Sequence, residues 1–259
     1  MKTKKPTKKF IEETAKKAGK EMLKYFGKVK VTDTKTTSID VLTKADLISE
    51  KIIVDSIKKE YPTHGIISEE SSDYNTDSEY VWIIDPIDGT DNFVNSNPMF
   101  GIILGVMKNK DMFMSGIYLP YMDEFFFAKK GSGAFLNNKK IECSKITTLN
   151  RTKYILNGWY DKEVFEKEFE VLKNAKDKTC ICSAFSSAAV VFGYLASGRK
   201  DWHITKNFTL WDIGVPSLIC KEAGVDIKYL DGSDFELFKE GIILIANPKL
   251  NKTIRSYLK

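Results

Sequence analysis

Histidine is scarce in this 259-residue chain, with His64 and His203 its only two copies, far apart in sequence. That scarcity argues against a histidine-rich zinc site, so any metal must be held mainly by oxygen, which selects hard cations such as magnesium, manganese or calcium. Cysteine is also sparse. Cys143, Cys180, Cys182 and Cys220 form no C-x-x-C pair, so reduced structural thiols are expected rather than a disulfide framework. No run approaches the ~20 apolar residues that span a bilayer, and the N-terminus lacks the apolar core of a secretory signal. A cytoplasmic location without membrane attachment is the expectation. Excess charge is small at +5, and much of it sits in the opening MKTKKPTKKF, which reads as a solvated terminus. A nucleic-acid partner is therefore not expected.

What is present fits a globular protein: 42% hydrophobic and 29% charged residues, in a chain long enough to bury a substantial core. Apolar residues recur at helical spacing from Lys8 to Phe26 and again from about Thr43 to Glu60, where Asp46 falls in the first turn. Between them KVKVTDTKTTSID reads as a hairpin or mobile loop with the character of a lid. Strand patterns follow at HGIIS, YVWIID, FGIILGVM, FMSGIYL and EFFFA, suggesting a mixed or antiparallel sheet. Beyond residue 150 strand and helix patterns alternate, with no repeat or clear domain break. A single module over 1–259 is expected, with sub-domains 1–144 and 145–259.

The segment WIIDPIDGTDNF, residues 82–93, carries the strongest chemical signal. YVWII is a buried-strand pattern, and carboxylates emerging from its end stand at a sheet rim, where ligands commonly bind. Asp85 and Asp88, aimed into one space, repel unless a proton or cation lies between them. Gly89 and Thr90 add close backbone approach and amides able to face an anion. Carboxylates beside such amides suit a phosphate bridged to a metal. Glu69, leaving HGIIS, can join the same rim. Taken alone, Asp46 reads first as a helix cap, and Asp212 as cap or ligand. Pro216 sets a limit: either the helix starts near residues 211–213 with Asp212 at its tip, or it bends at the proline.

Together IDVLTKAD (39–46), SEE (68–70), WIIDPIDGTDNF (82–93), SSAA (186–189) and WDIGVPSLICKEAG (211–224) resemble the inositol monophosphatase family of magnesium-dependent, lithium-sensitive phosphatases. The resemblance implies an α+β fold, the five-layered αβαβα sandwich of the inositol monophosphatase and fructose-1,6-bisphosphatase type, commonly dimeric. It implies two or three Mg2+ ions. Glu69, Asp85 and the carbonyl of Ile87 would hold one, Asp85, Asp88 and Asp212 a second, and a weaker third would lie near Glu69. Thr90, paired with Asp46, would position the attacking water, with Glu69 also in the catalytic group, and the amides of Gly89 and Thr90 would bind phosphate. Asp88, Ser187, Ala188, Thr205 and Asp212 would contact substrate, and Lys35 would belong to the lid. The implied activity is hydrolysis of a small phosphate monoester: an inositol monophosphate, a sugar phosphate or a nucleotide phosphate.

Three positions depart from the family pattern. Ser68 stands where a glycine usually precedes the Glu-Glu pair, Asp91 where Thr or Ser often follows Thr90, and Thr205 where inositol-specific members carry a glutamate. The last puts inositol specificity in question. Lys206, Arg199 and Lys200 either favour a more anionic substrate, such as fructose 1,6-bisphosphate, a 3′-phosphoadenosine nucleotide or NADP, or are ordinary solvated cations. Some relatives resemble binding proteins of the transcription or ribosome-assembly machinery, which leaves a non-catalytic role as the competing function.

Overall fold

The computed structural model of the protein describes residues 3–28, 33–34, 41–156, 161–175, 178, 180–207 and 209–258. In chain order its elements are α1 (Lys8–Met22), the short strands β1 (Asp33–Thr34) and β2 (Val41–Leu42), α2 (Lys44–Glu60), β3 (Gly65–Ser68), β4 (Tyr80–Asp88) and α3 (Thr90–Val94). A run of strands follows: β5 (Gly101–Lys108), β6 (Asp111–Leu119), β7 (Glu124–Lys129), β8 (Ala134–Leu136), β9 (Lys139–Ile141) and β10 (Lys153–Ile155). The remainder comprises α4 (Lys162–Asn174), β11 (Ile181–Ser183), α5 (Ala188–Ala196), β12 (Trp202–Asn207), a π-turn (Leu210–Gly214), α6 (Val215–Glu222), β13 (Asp226–Tyr229), β14 (Gly241–Ala246) and α7 (Pro248–Arg255).

Strands β3 to β9 form a seven-stranded sheet in sequence order, β3 parallel to β4 and the rest antiparallel. A five-stranded mixed sheet follows the order β11-β10-β12-β14-β13. The helices α1 and α2 cover one face of the larger sheet, packing Ile11, Met22, Ile53 and Ile57 against Trp82, Ile84, Leu104 and Phe125. Its other face, through Ile83, Ile103, Ile117 and Phe126, meets α5 and α6, which also pack on Ile227, Ile243 and Ile245 of the smaller sheet. Outermost, α4 and α7 set Val164, Val171, Leu250 and Ile254 over Tyr154, Trp202 and Leu244. The result is five layers, αβαβα. Because β4 is covered on both faces, all nine of its residues are buried, which is why it reads as a continuous apolar run rather than an alternating one.

Local chemistry explains the boundaries. Thr7 caps α1 by accepting from the Phe10 amide, and α1 ends at Met22 rather than Phe26, the chain continuing in turns to the left-handed Gly27. Thr43 caps α2 in a reciprocal capping box with Asp46. Strands β8 and β9, not foreseen from sequence, are joined by Asn137 and Asn138, both at positive φ, the backbone a two-residue hairpin turn requires. Ahead of α6 the chain makes a π-turn capped by Thr209, so helical backbone begins at Leu210, close to the expected 211–213, with Asp212 in its first turn. The α-helix proper follows from Val215, with Pro216 in its first turn. Gly105 lets this region approach closely: a Cβ there would lie 2.4 Å from Val215 Cγ2.

Candidate metal centre

The site begins with a bulge in β4. Asp85 lies opposite Ile103 and Asp88 opposite Gly101, so three steps on β4 span two on β5. In a regular strand residues three apart point to opposite faces; the extra residue brings Asp85 and Asp88 to one side, toward α5 and the π-turn. Pro86 occupies the bulge, where no ladder amide is lost, and its carbonyl accepts from the Ser49 hydroxyl at 2.8 Å.

Asp88 is gripped by the first turn of α5. Its Oδ2 accepts from the Ser187 hydroxyl and the Ala189 amide (2.9 Å), and its Oδ1 from the Ala188 amide (2.9 Å). Those bonds favour the carboxylate, yet burial outweighs them, and with the nearby Glu69 charge the Asp88 pKa rises to about 6. Asp85 is pushed well above the ordinary carboxylate range, first by burial and then by Glu69, Asp88 and Asp212. Asp212 arrives from the π-turn, where Thr209 Oγ1 accepts from its amide (3.1 Å) and donates to its Oδ2 (2.8 Å). One carboxylate oxygen from each of Asp85, Asp88 and Asp212 lies within 4.8 Å of the other two.

Glu69 joins from the parallel neighbour β3, where its amide donates to the Ile84 carbonyl at 3.1 Å. Its charge helps to raise the Asp85 pKa, and two such acids repel unless a proton or a cation lies between them. Asp85 Oδ1 is buried without a hydrogen-bond partner among the described residues. An orphaned carboxylate oxygen ringed by other acids fits a hard divalent ion, and the donor set is all oxygen.

On the α2 side, Thr90 Oγ1 lies 3.1 Å from Asp46 Oδ1 and 2.9 Å from the Ile87 carbonyl oxygen. Asp46 is fully buried, its other oxygen fixed by the Thr43 amide (2.8 Å) and hydroxyl (2.5 Å). Gly89 is left-handed (φ 82°), and a side chain there would press on Met99 O, Ser187 and Ser186. The bare Gly89-Thr90 backbone thus faces the same loop as the Asp88 clamp.

Two further expected positions are not among the residues these contacts join, and the expected cations are otherwise engaged. Thr205 is buried in β12 opposite Ile243, in the second sheet. Lys35 falls outside the described residues. The cations considered for an anionic substrate have protein partners: Arg199 forks onto Glu124 (2.7 and 2.6 Å), Lys206 pairs with Asp161 (3.1 Å), and Lys200 donates to Ser183 Oγ (2.5 Å). Both histidines are structural. His64 Nδ1 accepts from Trp82 Nε1, and burial lowers its pKa; His203 donates to the Ile155 carbonyl with its pKa lowered to about 4. Sequence reasoning missed the supporting groups Ser49 and Thr209, whose only signal was their closeness in sequence to the acidic motifs.

The sequence profile described as the inositol monophosphatase family matches residues 3–259. The chain belongs to that family. It is 32% identical over 240 residues to a putative Nus factor SuhB of Neisseria meningitidis serogroup B, covering 91% of each chain. It is 31% identical over 227 residues to a fructose-1,6-bisphosphatase/inositol-1-monophosphatase of Thermotoga maritima, covering 88% of this chain and 86% of that one. Among solved structures, a Thermotoga maritima IMPase superposes with a TM-score of 0.86 at 28% identity, covering 96% and 95%. No helix among the described residues is long and apolar enough to cross a membrane.

Proposed function

We propose that the protein is a Mg2+-dependent phosphatase of small phosphate monoesters, with an inositol monophosphate, a sugar phosphate or a nucleotide phosphate as substrate. The observation that carries the reading is the orphaned Asp85 Oδ1 inside a buried cluster of acids whose ionised forms burial and mutual repulsion disfavour. Glu69, Asp85 and the Ile87 carbonyl would hold one ion, Asp85, Asp88 and Asp212 a second, and Glu69 would lie by a weaker third. The Ile87 carbonyl, which accepts from Thr90, keeps a second lone pair for this purpose. When bound at these residues, divalent ions would supply charge neutralisation for the phosphoryl oxygens, a more acidic water and stabilisation of the leaving oxygen.

The chain's own groups do the rest. Thr90 has one proton and two acceptors around it, Asp46 and Ile87 O, so its lone pairs are turned outward to accept from a water. Asp46, fixed by Thr43, draws the hydroxyl proton toward itself and thereby makes Thr90 a better acceptor for the water's proton. The amides of Gly89 and Thr90 bind the phosphate, and Asp88, Ser187, Ala188, Thr205 and Asp212 line the substrate side. A homodimer is the proposed assembly.

Phosphate release from inositol 1-phosphate, fructose 1,6-bisphosphate, phosphoadenosine phosphate and NADP, with and without Mg2+, tests the proposal. Metal-dependent turnover of at least one is expected. No release from any, or an Asp88→Asn variant as fast as wild type, overturns it. Similarity to a putative Nus factor keeps a non-catalytic role as the second reading; stable capture of RNA polymerase, unaffected by Asp88→Asn, would favour it.

A further inference from the structure

Asn92 sits two residues beyond Thr90 in the short α3, buried, and takes no part in the roles described above. Its Nδ2 lies 2.8 Å from the Met99 carbonyl, 2.7 Å from that of Phe185 and 3.1 Å from that of Ser186, while its Oδ1 accepts from Asn97 Nδ2 at 2.7 Å. With three carbonyls on one side and an amide nitrogen on the other, only one orientation of the side-chain amide satisfies the contacts. The Phe185 and Ser186 bonds bridge 93 and 94 positions of sequence. They join the turn that carries Asp88, Gly89 and Thr90 to the loop entering α5.

That loop is under tension. Ser186 is held at φ 50°, a left-handed backbone uncommon for serine, and the next residue, Ser187, begins the grip on Asp88. The two segments touch: a Cβ on Gly89 would lie 3.1 Å from Ser187 Cβ and 3.3 Å from Ser186 O. We propose that Asn92 is a positioning residue for the metal centre. It pins residues 185–186 in the left-handed turn that aims the Ser187 hydroxyl and the Ala188 and Ala189 amides at Asp88, fixing how that carboxylate faces a cation. The inference rests on the metal-centre reading above.

The test is calorimetric titration of the full-length protein with Mn2+ alone, beside far-UV circular dichroism to establish folding. Asn92→Ala removes the side chain, and Asn92→Asp keeps the shape but removes both N–H donors. Each is expected to raise the Mn2+ dissociation constant about 10- to 100-fold, the usual cost of losing a group that orients a metal ligand. Asn97→Ala, at an exposed position that leaves the fold intact, frees the amide to swing and raises it about fivefold, one hydrogen bond's worth. Ser186→Gly supplies the decisive comparison, because glycine adopts a positive φ without strain. Added to Asn92→Ala it restores affinity by about threefold more than it changes wild type. Unchanged Mn2+ binding in folded Asn92 and Asn97 variants overturns the inference. So does the same Ser186→Gly factor in both backgrounds, which would assign Asn92 to general stability. Failure of the wild type to bind Mn2+ would instead remove the metal-centre reading, and this inference with it.

Discussion

Thr90 Oγ1 and Asp46 Oδ1 stand 3.1 Å apart although 44 residues separate them, one at the start of α3 and the other in the first turn of α2. Asp46 serves two ends at once, since its other oxygen closes the capping box on Thr43. Replacing Thr90 by Val keeps the shape and removes the hydroxyl. We expect kcat to fall about 10²- to 10⁴-fold, the usual range for a lost proton-handling group, with Mn2+ affinity changed much less. Steady-state kinetics with the substrate that turns over, beside metal titration, checks both halves of the expectation.

Asp85 is expected to couple metal binding to stability. Saturating Mg2+, at about 100 times its dissociation constant, should stabilise the wild type by about 2.7 kcal/mol, or roughly 5–10 °C in Tm for a chain of this length. Asp85→Asn removes one buried charge from the cluster. Its metal-free Tm is expected to rise above that of wild type, and its Mg2+-induced increment to vanish. Thermal denaturation with EDTA and with Mg2+ measures all four values.

The raised pKa values fix the sign of the pH dependence. A carboxyl whose folded pKa lies above its unfolded value of 3.8 holds its proton more tightly when folded, so the stability gained from protonation is present at low pH. It is lost as pH climbs from about 4 through the Asp88 value of about 6, and further as Asp85 ionises. Metal-free protein should therefore lose Tm across that interval, while protein saturated with Mg2+ should not. Below the same pKa, metal must displace protons, so the dissociation constant is expected to fall as pH rises from 5 toward 7, with proton release visible by calorimetry in buffers of different ionisation enthalpy.

Ser68 departs from the family pattern for a reason that can be measured. Its hydroxyl donates to Oε1 of the buried Glu50 at 2.5 Å, tying the end of β3 to α2. Ser68→Ala should destabilise the fold by about 1–3 kcal/mol, the cost of leaving a buried acceptor without its donor. Urea unfolding with an unchanged m-value would show it; a loss below about 0.5 kcal/mol would mean that water replaces the hydroxyl.

Much of this molecule was legible before any coordinates, and the parts that were not share a cause. Helix spacing located α2, whose start near Thr43 the structure bears out, and the apolar run before Asp85 announced a buried strand. The acid motifs announced a site. What the letters do not carry is register. Nothing local distinguishes Asp-Pro-Ile-Asp in a bulge from the same residues in a turn, since the bulge exists only against Gly101 and Ile103 of β5. The close approach of Val215, just after the π-turn that carries Asp212, to Gly105 of β5 is likewise a tertiary contact that no propensity reports. Partners of the cations were hidden for the same reason: Lys206 with Asp161 and Arg199 with Glu124 are tertiary pairs. Asn92, in plain view within DGTDNF, gives no local sign of its reach, because the Phe185 and Ser186 carbonyls it holds lie more than ninety residues downstream.

The layered plan places Asp85 and Asp88 on the first sheet but draws the clamp on Asp88, and Asp212, from the helices between the sheets. On a ribosome the N-terminal half emerges first, carrying a crowded pair of acids before residues 187–212 have been made. Capture of the ion that needs Asp212 should thus arrive late in biogenesis, when the second half of the polypeptide docks, making that ion a reporter of finished assembly rather than a seed for it.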